Sequence, residues 1–347
     1  MTLTPTPMSA ICLLAPTTTL ALISNHWILA WIGLELSMMI TLLLLQKPKT
    51  ARSNEASVKY FISQVIASTM ILAAATINAT RTGTWDITQM TDKFSVTLTI
   101  LSLAFKMGAA PMHFWLPEVL QGSPMPAIFI ITTWQKIAPT ALIFMIWKNG
   151  HFATLSAVGI LSTLVGALGA INQPQMRKMI AFSSINNTGW TLVMMGVDNA
   201  LALMNMMVYI NLISIILYIM GKLKTKTLKE WISLYLKAQT LGIVAALAAV
   251  ATSGLPPTSG WVPKMMATDR LISEHHMTVL ATVLTLISLI TLLFYIRMSY
   301  ISAMTSGPST SNTPIKWRTQ MHIMQLLPVL TSSIITTILL LPTIAAY

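Results

Sequence analysis

The chain has 347 residues, 54% of them hydrophobic and only 9% charged, and its 21 lysines and arginines outnumber 9 acidic residues for a formal net charge of +12. Soluble domains carry charge on about a quarter of their residues. This composition therefore excludes one and describes a polytopic membrane protein, in which a basic excess reports topology rather than nucleic-acid binding.

A bilayer core takes about twenty apolar residues per helix, and that window predicts an all-α fold of about eleven transmembrane helices with no room for a soluble domain. The first, Leu3–Ser24, lacks the basic and Arg/Ser-rich patterns of signal and transit peptides and reads as a span. Its Cys12 is the single cysteine, which excludes an intrachain disulfide and a cysteine-ligated cluster. Asn25–Gln46 carries Glu35 in "WIGLELSMM", roughly halfway across. Ala56–Ala79 follows, then Phe94–Gln121, which holds Lys106 at the stretch "KMGAAPMHFWLP" and His113 just beyond. Pro124–Trp147 holds Lys136 at similar depth. Phe152–Ile171, Gln175–Gly196 and Ala200–Gly221 come next, the second with a polar run from Ser183 to Asn187. Gln239–Leu271 is interrupted by "SGLPPTSGWVPK" and holds Lys264. Met277–Tyr300 carries Arg297 close to its end, where a long cationic side chain snorkels to the interface. Ile323–Ala346 is the last span.

The loops test this reading, because alternate loops should differ in basic content. One set holds Lys47, Lys49, Arg52 and Lys59, Arg177 and Lys178, the run from Lys222 to Lys237, and Lys316 with Arg318, against Glu55, Glu118 and Glu230. The other holds Arg81, Lys93, Lys148 and Arg270 against Asp86, Asp92, Asp198, Asp269 and Glu274. The N-terminus and the basic loops are thus expected in the positive-inside compartment, and the C-terminus opposite.

Inside the helices remain Glu35, Lys106, Lys136, Lys264 and Arg297. A charge near the bilayer centre costs about 2.5–3.5 kcal/mol on insertion scales, so it faces a bundle interior, a water cavity or a partner. The two interrupted helices lie five spans apart, and each joins Gly and Pro to a lysine. A shift by an odd number of spans inverts topology, the pattern of inverted five-helix repeats. Residues 1–150 form the first repeat in this reading, residues 151–303 the second, and 304–347 a loop and terminal helix. Discontinuous helices leave backbone groups that only a polar lining tolerates. Ordinary proline kinks compete with that reading. In the same way, a Glu35–lysine pair reads as structural or functional, His113 as a packing residue or a proton relay, and the Ser183–Asn187 run as interhelical glue or as the lining of a water chain.

A charged lysine does not bind a cation, but it exchanges a proton: burial favours the neutral form and a neighbouring carboxylate the charged one. Moving a charge against 100 mV takes about 2.3 kcal/mol, or about 1.7 pKa units. An ion pair that opens and closes can supply a shift of that size. The sequence holds no nucleotide, haem or metal motif, so the energy for transport is expected from another subunit or an ion gradient.

Four motifs, "FKMGAAPMHFWLPEVLQGSP", "TWQKIAP", "NQPQMRKMIAFSSINNTGW" and "GLPPTSGWVPK", together with "NHWILAWIGLELSMM", resemble the antiporter-like membrane subunits of respiratory complex I in their vertebrate mitochondrial form, over essentially the whole chain. The resemblance implies that Glu35 is the family's intramembrane glutamate paired with Lys106. It implies that Lys136 is the central-axis lysine, that Lys264 belongs to the second broken helix toward the exit side, and that His113 lies beside the Lys106–Lys136 path. It further implies outward proton translocation driven by redox chemistry elsewhere, with FMN, iron–sulfur clusters and ubiquinone in other subunits and no cofactor or metal in this chain. The implied partners are neighbouring antiporter-like subunits, accessory subunits and phospholipids such as cardiolipin, with no nucleic acid. The implied place is the mitochondrial inner membrane, with the N-terminus in the matrix and the C-terminus in the intermembrane space. Asn187 stands where the family has histidine before "GW", which removes a titratable group. Met112 and Trp261 replace phenylalanines and read as packing changes. A stand-alone cation/proton antiporter subunit shares the inverted repeat and the lysines, and a structural scaffold with inert ion pairs shares the charges.

Overall fold

The structure, a computed structural model, describes residues 7–47, 49–146, 151–232, 239–256, 258–273 and 276–304. Among them the regular elements are helices: α1 (Pro7–Ile23), α2 (Trp27–Leu45), α3 (Ala51–Thr82), α4 (Lys93–Met107), α5 (Trp115–Gly122), α6 (Met125–Thr132), α7 (Ile137–Ile146), α8 (Phe152–Ala170), α9 (Met176–Val197), α10 (Asn199–Leu223), α11 (Leu228–Ile232), α12 (Gln239–Ser253), α13 (Trp261–Ser273) and α14 (Thr278–Met304), with short 3₁₀ turns. Six segments among the described residues have the length and apolarity to cross a membrane: Trp27–Leu45, Ala51–Thr82, Met125–Ile146, Phe152–Ala170, Asn199–Leu223 and Thr278–Ile301.

The fourth expected span divides into α4 and α5, and the ninth into α12 and α13, where Gly and Pro interrupt them. The fifth keeps nearly its expected extent, Met125–Ile146, but is interrupted by a turn that the sequence reading did not expect. It is α6, a 3₁₀ turn at Trp134–Lys136, and α7. Pro139 supplies the cause: it has no N–H for the carbonyl of Gln135, and its ring crowds that carbonyl, so the turn ahead of it tightens. The third span starts earlier than expected because Thr50 and Ser53 form a reciprocal capping box. The expected helix Ile323–Ala346, the loop with Lys316 and Arg318, and Lys148, Lys237 and Glu274 lie outside the described residues.

Lipid reverses the usual burial rule. Large apolar side chains such as Ile23, Leu29, Met207, Val279 and Leu293 are exposed, while Ser37, Ser68, Asn78, Thr99, Ser102 and Ser184 are buried. The buried hydroxyls donate to carbonyls one turn back in their own helices, as in Ser37 to Leu34 at 2.8 Å and Ser102 to Thr99 at 2.8 Å. Hydroxyls bonded in this way let helices approach closely with their donors satisfied, whereas the buried Asn78 side-chain amide has no hydrogen-bond partner among the described residues.

The described residues divide into two compact units. One runs to Ser162 and takes in Leu192–Asn199; the other comprises Thr163–Thr191 and the residues from Ala200 onward. In the first, α2 packs between α1 and α3, and α3 also packs on α4 and α5. Its face Trp27, Ala30, Leu34, Ser37, Met38, Thr41 and Leu45 recurs at helical spacing and is buried. In the second, α12, α13 and α11 each pack on α14. Outside the membrane spans, Asp92 caps α4 by accepting from the amide and hydroxyl of Ser95 at 3.1 and 2.7 Å, and it pairs with Arg81. The Ser95 hydroxyl first, and Arg81 after it, hold the Asp92 carboxyl below the usual carboxylate range. The cap therefore persists at neutral pH and is lost only as pH falls through that lowered value.

Candidate functional site

Helix α4 stops where Gly108 turns left-handed, with φ 79°. Its N–H returns to Phe105 O at 2.9 Å, and the next amide, of Ala109, returns to Ala104 O at 2.9 Å. A side chain there would be strained twice, by φ and by a methyl 2.7 Å from Leu116 Cδ1. Gly108→Ala is expected to destabilise by about 1–3 kcal/mol, read as a lowered thermal-inactivation midpoint of the assembled protein. An unchanged midpoint would contradict the strain argument.

Side chains also reach the carbonyls at this break. The Trp115 indole donates to Phe105 O at 3.3 Å, and the Gln64 amide reaches Lys106 O at 3.5 Å. Just beyond, His113 makes its hydrogen bond with Pro111 O at 3.1 Å, which places the proton on Nδ1 because a carbonyl only accepts. Its ring lies against Phe114. His113 is thus buried at the break and engaged with its own loop.

Lys106, in the last turn of α4, points to α2. Its Nζ lies 3.6 Å from Glu35 Oε1, with side-chain exposures of 4% and 18%. That separation is an ion pair without a direct hydrogen bond. Beside it is a cavity of about 10 Å³, lined by Ser37, Tyr60, Gln64, Lys106, Gln135 and Pro139 among others, a volume on the order of one water. Polar links surround it. Thr41 donates to Tyr60 Oη at 3.0 Å, Ser37 Oγ shares its one proton between Leu34 O and Gln135 Oε1 at 3.3 Å, and Gln135 Nε2 donates to Ser37 O at 3.3 Å. Gln135 belongs to the same 3₁₀ turn as Lys136, which is buried at 4% exposure. The turn carrying Lys136 is therefore tied to α2 two residues beyond Glu35. Sequence reasoning singled out none of Ser37, Tyr60, Gln64 and Gln135. A lone glutamine beside an intramembrane lysine was the signal available.

In the second unit, α12 ends at Gly254, again left-handed with φ 88°. Gly260 approaches so closely that a methyl on it would sit 2.0 Å from Ala251 O. Lys264 lies beyond this break, on α13, whereas Lys106 precedes its own. Its Nζ reaches back to Ser253 O at 2.9 Å and Thr252 O at 3.5 Å and sits 5.6 Å above the Trp190 ring. The ammonium thus caps the negative end of the α12 dipole and forms no ion pair among the described residues. Asn187 is buried on α9 and donates to Ser183 O at 3.0 Å within its own helix. The structure brings Glu35 and Lys106 together; Lys136, His113 and Lys264 each occupy a helix break or turn.

A profile of the family described as NADH:quinone oxidoreductase/Mrp antiporter, TM, matches residues 24–291, and one described as NADH dehydrogenase subunit 2 C-terminus matches residues 292–347. NADH-ubiquinone oxidoreductase chain 2 of Varanus nebulosus is 41% identical over 307 residues, covering 88% of this chain and 88% of that protein. In fold, the chain is similar to a chain of respiratory complex I from Thermus thermophilus, with TM-score 0.82 and 21% identity over 96% of this chain and 79% of that one. A chain of the Mrp complex from Dietzia sp. DQ12-45-1b gives TM-score 0.76 and 17% identity, over 84% of this chain and 59% of that one.

Proposed function

The chain belongs to the NADH:quinone oxidoreductase/Mrp antiporter membrane family, and from that premise we propose that it is a core membrane-arm subunit of respiratory complex I, the proton-pumping NADH:ubiquinone oxidoreductase. It is a multi-pass protein of the mitochondrial inner membrane, partnered by other subunits of the complex. NADH oxidation and ubiquinone reduction, with FMN and the iron–sulfur clusters, take place in those other subunits. This chain moves protons.

The relay consists of Glu35, Lys106, Lys136 and Lys264, with His113 at the first break. One observation carries it: three lysines are buried at helix interruptions, and the first lies 3.6 Å from a carboxylate. A snorkelling lysine would reach the interface instead. Opening the Glu35–Lys106 pair changes the proton affinity of Lys106, and Gln135 couples the Glu35 helix to the turn that holds Lys136. The two broken helices are the matching halves of inverted repeats, residues 1–150 and 151–303, followed by a loop and terminal helix over 304–347. The basic loops and the N-terminus face the matrix, and the C-terminus faces the intermembrane space. Neighbouring antiporter-like subunits, accessory subunits and cardiolipin complete its surroundings.

The chain should co-isolate with an NADH-oxidising assembly. Exchange of Na⁺ for H⁺ by the purified chain without a redox partner would instead establish a stand-alone antiporter. Lys264→Met is expected to lower the ratio of protons pumped to electrons transferred while electron transfer continues. It also removes the donor from Ser253 O, so it should cost about 1–3 kcal/mol in thermal stability. A wild-type ratio would remove Lys264 from the relay.

A further inference from the structure

The relay leaves one cavity of the second unit unused. About 330 Å³ opens between the α8–α9 turn, the start of α11 and the last turns of α14, lined in part by Asn172, Gln173, Leu228, Phe294, Arg297 and Met298. Arg297 is the single charged residue of α14. It is exposed and takes part in none of the ion pairs of the described residues. The side chains of residues 305–347 include Lys316 and Arg318 and no Asp or Glu. Glu230, the acid of α11, accepts from the amides of Lys226 and Thr227 at 2.6 and 3.4 Å and is occupied as a cap.

Depth identifies the environment. Arg297 lies about 28 Å along α14 from Thr278, close to the ~30 Å thickness of the hydrocarbon core. The Gln175–Thr227 bridge holds the loop side of the cavity next to the basic run Lys222–Lys229. The cavity thus sits at the headgroup level of the leaflet toward which the basic loops point. A planar guanidinium there matches phosphate oxygens in two-point geometry, while Phe294, Met298 and Leu228 offer apolar wall to an acyl chain.

We propose that this cavity seats one anionic phospholipid, with its phosphate on Arg297, its glycerol near Asn172 and Gln173, and the head of an acyl chain along Phe294 and Met298. Apolar walls beside the guanidinium at headgroup level favour a lipid over a free anion. The proposal rests on the membrane placement of the family and is independent of the proton relay, so either can fail alone.

The test uses the assembled complex in detergent and a phosphatidylglycerol carrying a photoreactive group near the top of one acyl chain. Light is expected to label the peptide containing Phe294–Ile301. R297Q should lower the yield about fivefold, the effect of one basic residue at an anionic surface, and R297K should retain most of it. Unlabelled phosphatidylglycerol should compete, and phosphatidylcholine of the same chains should not. Equal labelling of wild type and R297Q, or by a phosphatidylcholine probe, would reduce the site to ordinary boundary lipid and overturn the proposal. Competition by inorganic phosphate alone would make it a free-anion site, and absence of labelling would mean that protein covers it; either result also overturns the proposal. If R297Q fails to assemble, the competition between the two lipids on wild type decides.

Discussion

Lys136→Met is expected to assemble normally and to oxidise NADH while this chain's proton movement falls by about two orders of magnitude. The magnitude follows from removing a titratable way station at membrane depth. Carrying a charge near the bilayer centre without that station costs about 2.5–3.5 kcal/mol, and each 1.4 kcal/mol or so is tenfold in rate. Assembly should survive because methionine is unbranched, adaptable and fills much of the same space in an apolar span. Lys136→Arg separates two explanations that Lys136→Met does not. Arginine keeps the charge but does not release its proton, so a true relay fails in both variants, whereas an electrostatic spacer works with arginine. The measurement is protons moved per electron in vesicles containing the assembled complex, with NADH oxidation followed in parallel. Normal pumping by Lys136→Met would sink the relay.

Glu35→Gln is the second large effect. It preserves shape but removes the carboxylate 3.6 Å from Lys106 Nζ. Breaking one side of a buried pair costs about 3–5 kcal/mol when the other charge remains, so both thermal stability and coupling should fall. Glu35→Asp, shorter by one methylene, should be milder. The double variant Glu35→Gln with Lys106→Met is expected to recover much of the stability, because no charge is stranded, while pumping stays lost. That divergence between stability and pumping is what an inert structural pair would not produce. If Glu35→Gln pumps like wild type, the ion pair is scaffold and the switch is wrong.

How far such behaviour could be read from sequence differs from residue to residue. The breaks after Lys106 and at Gly254 were legible because their causes are local: a glycine that turns left-handed, and prolines that cannot donate. The break at Lys136 had a local cause too. Pro139 was in view, but a single proline in an apolar span also fits a continuous kinked helix, and the tightened turn depends on Thr132 and Thr133 bonding back to Ile128 and Phe129 at 2.9 and 2.6 Å. The polar groups at the first break are the Trp115 indole and the Gln64 amide, which reach Phe105 O and Lys106 O. Those partners come from elsewhere in the fold. No local pattern marks them.

By itself, then, the sequence determined the membrane class, the sites of interruption at two spans, the unequal basic content of alternate loops and the short list of charges within apolar stretches. These follow from apolar length, backbone chemistry and the cost of burying charge, all of which act within a few residues. Only the tertiary structure decided what each charge meets. Lys106 faces Glu35 across α4 and α2, Lys264 turns back onto the end of α12, and Gln135 grips Ser37 from 98 positions away. The physical reason is that helix rotation and depth are set by side chains packing between helices. A shift of one residue would turn each polar group by about 100° and aim it at lipid.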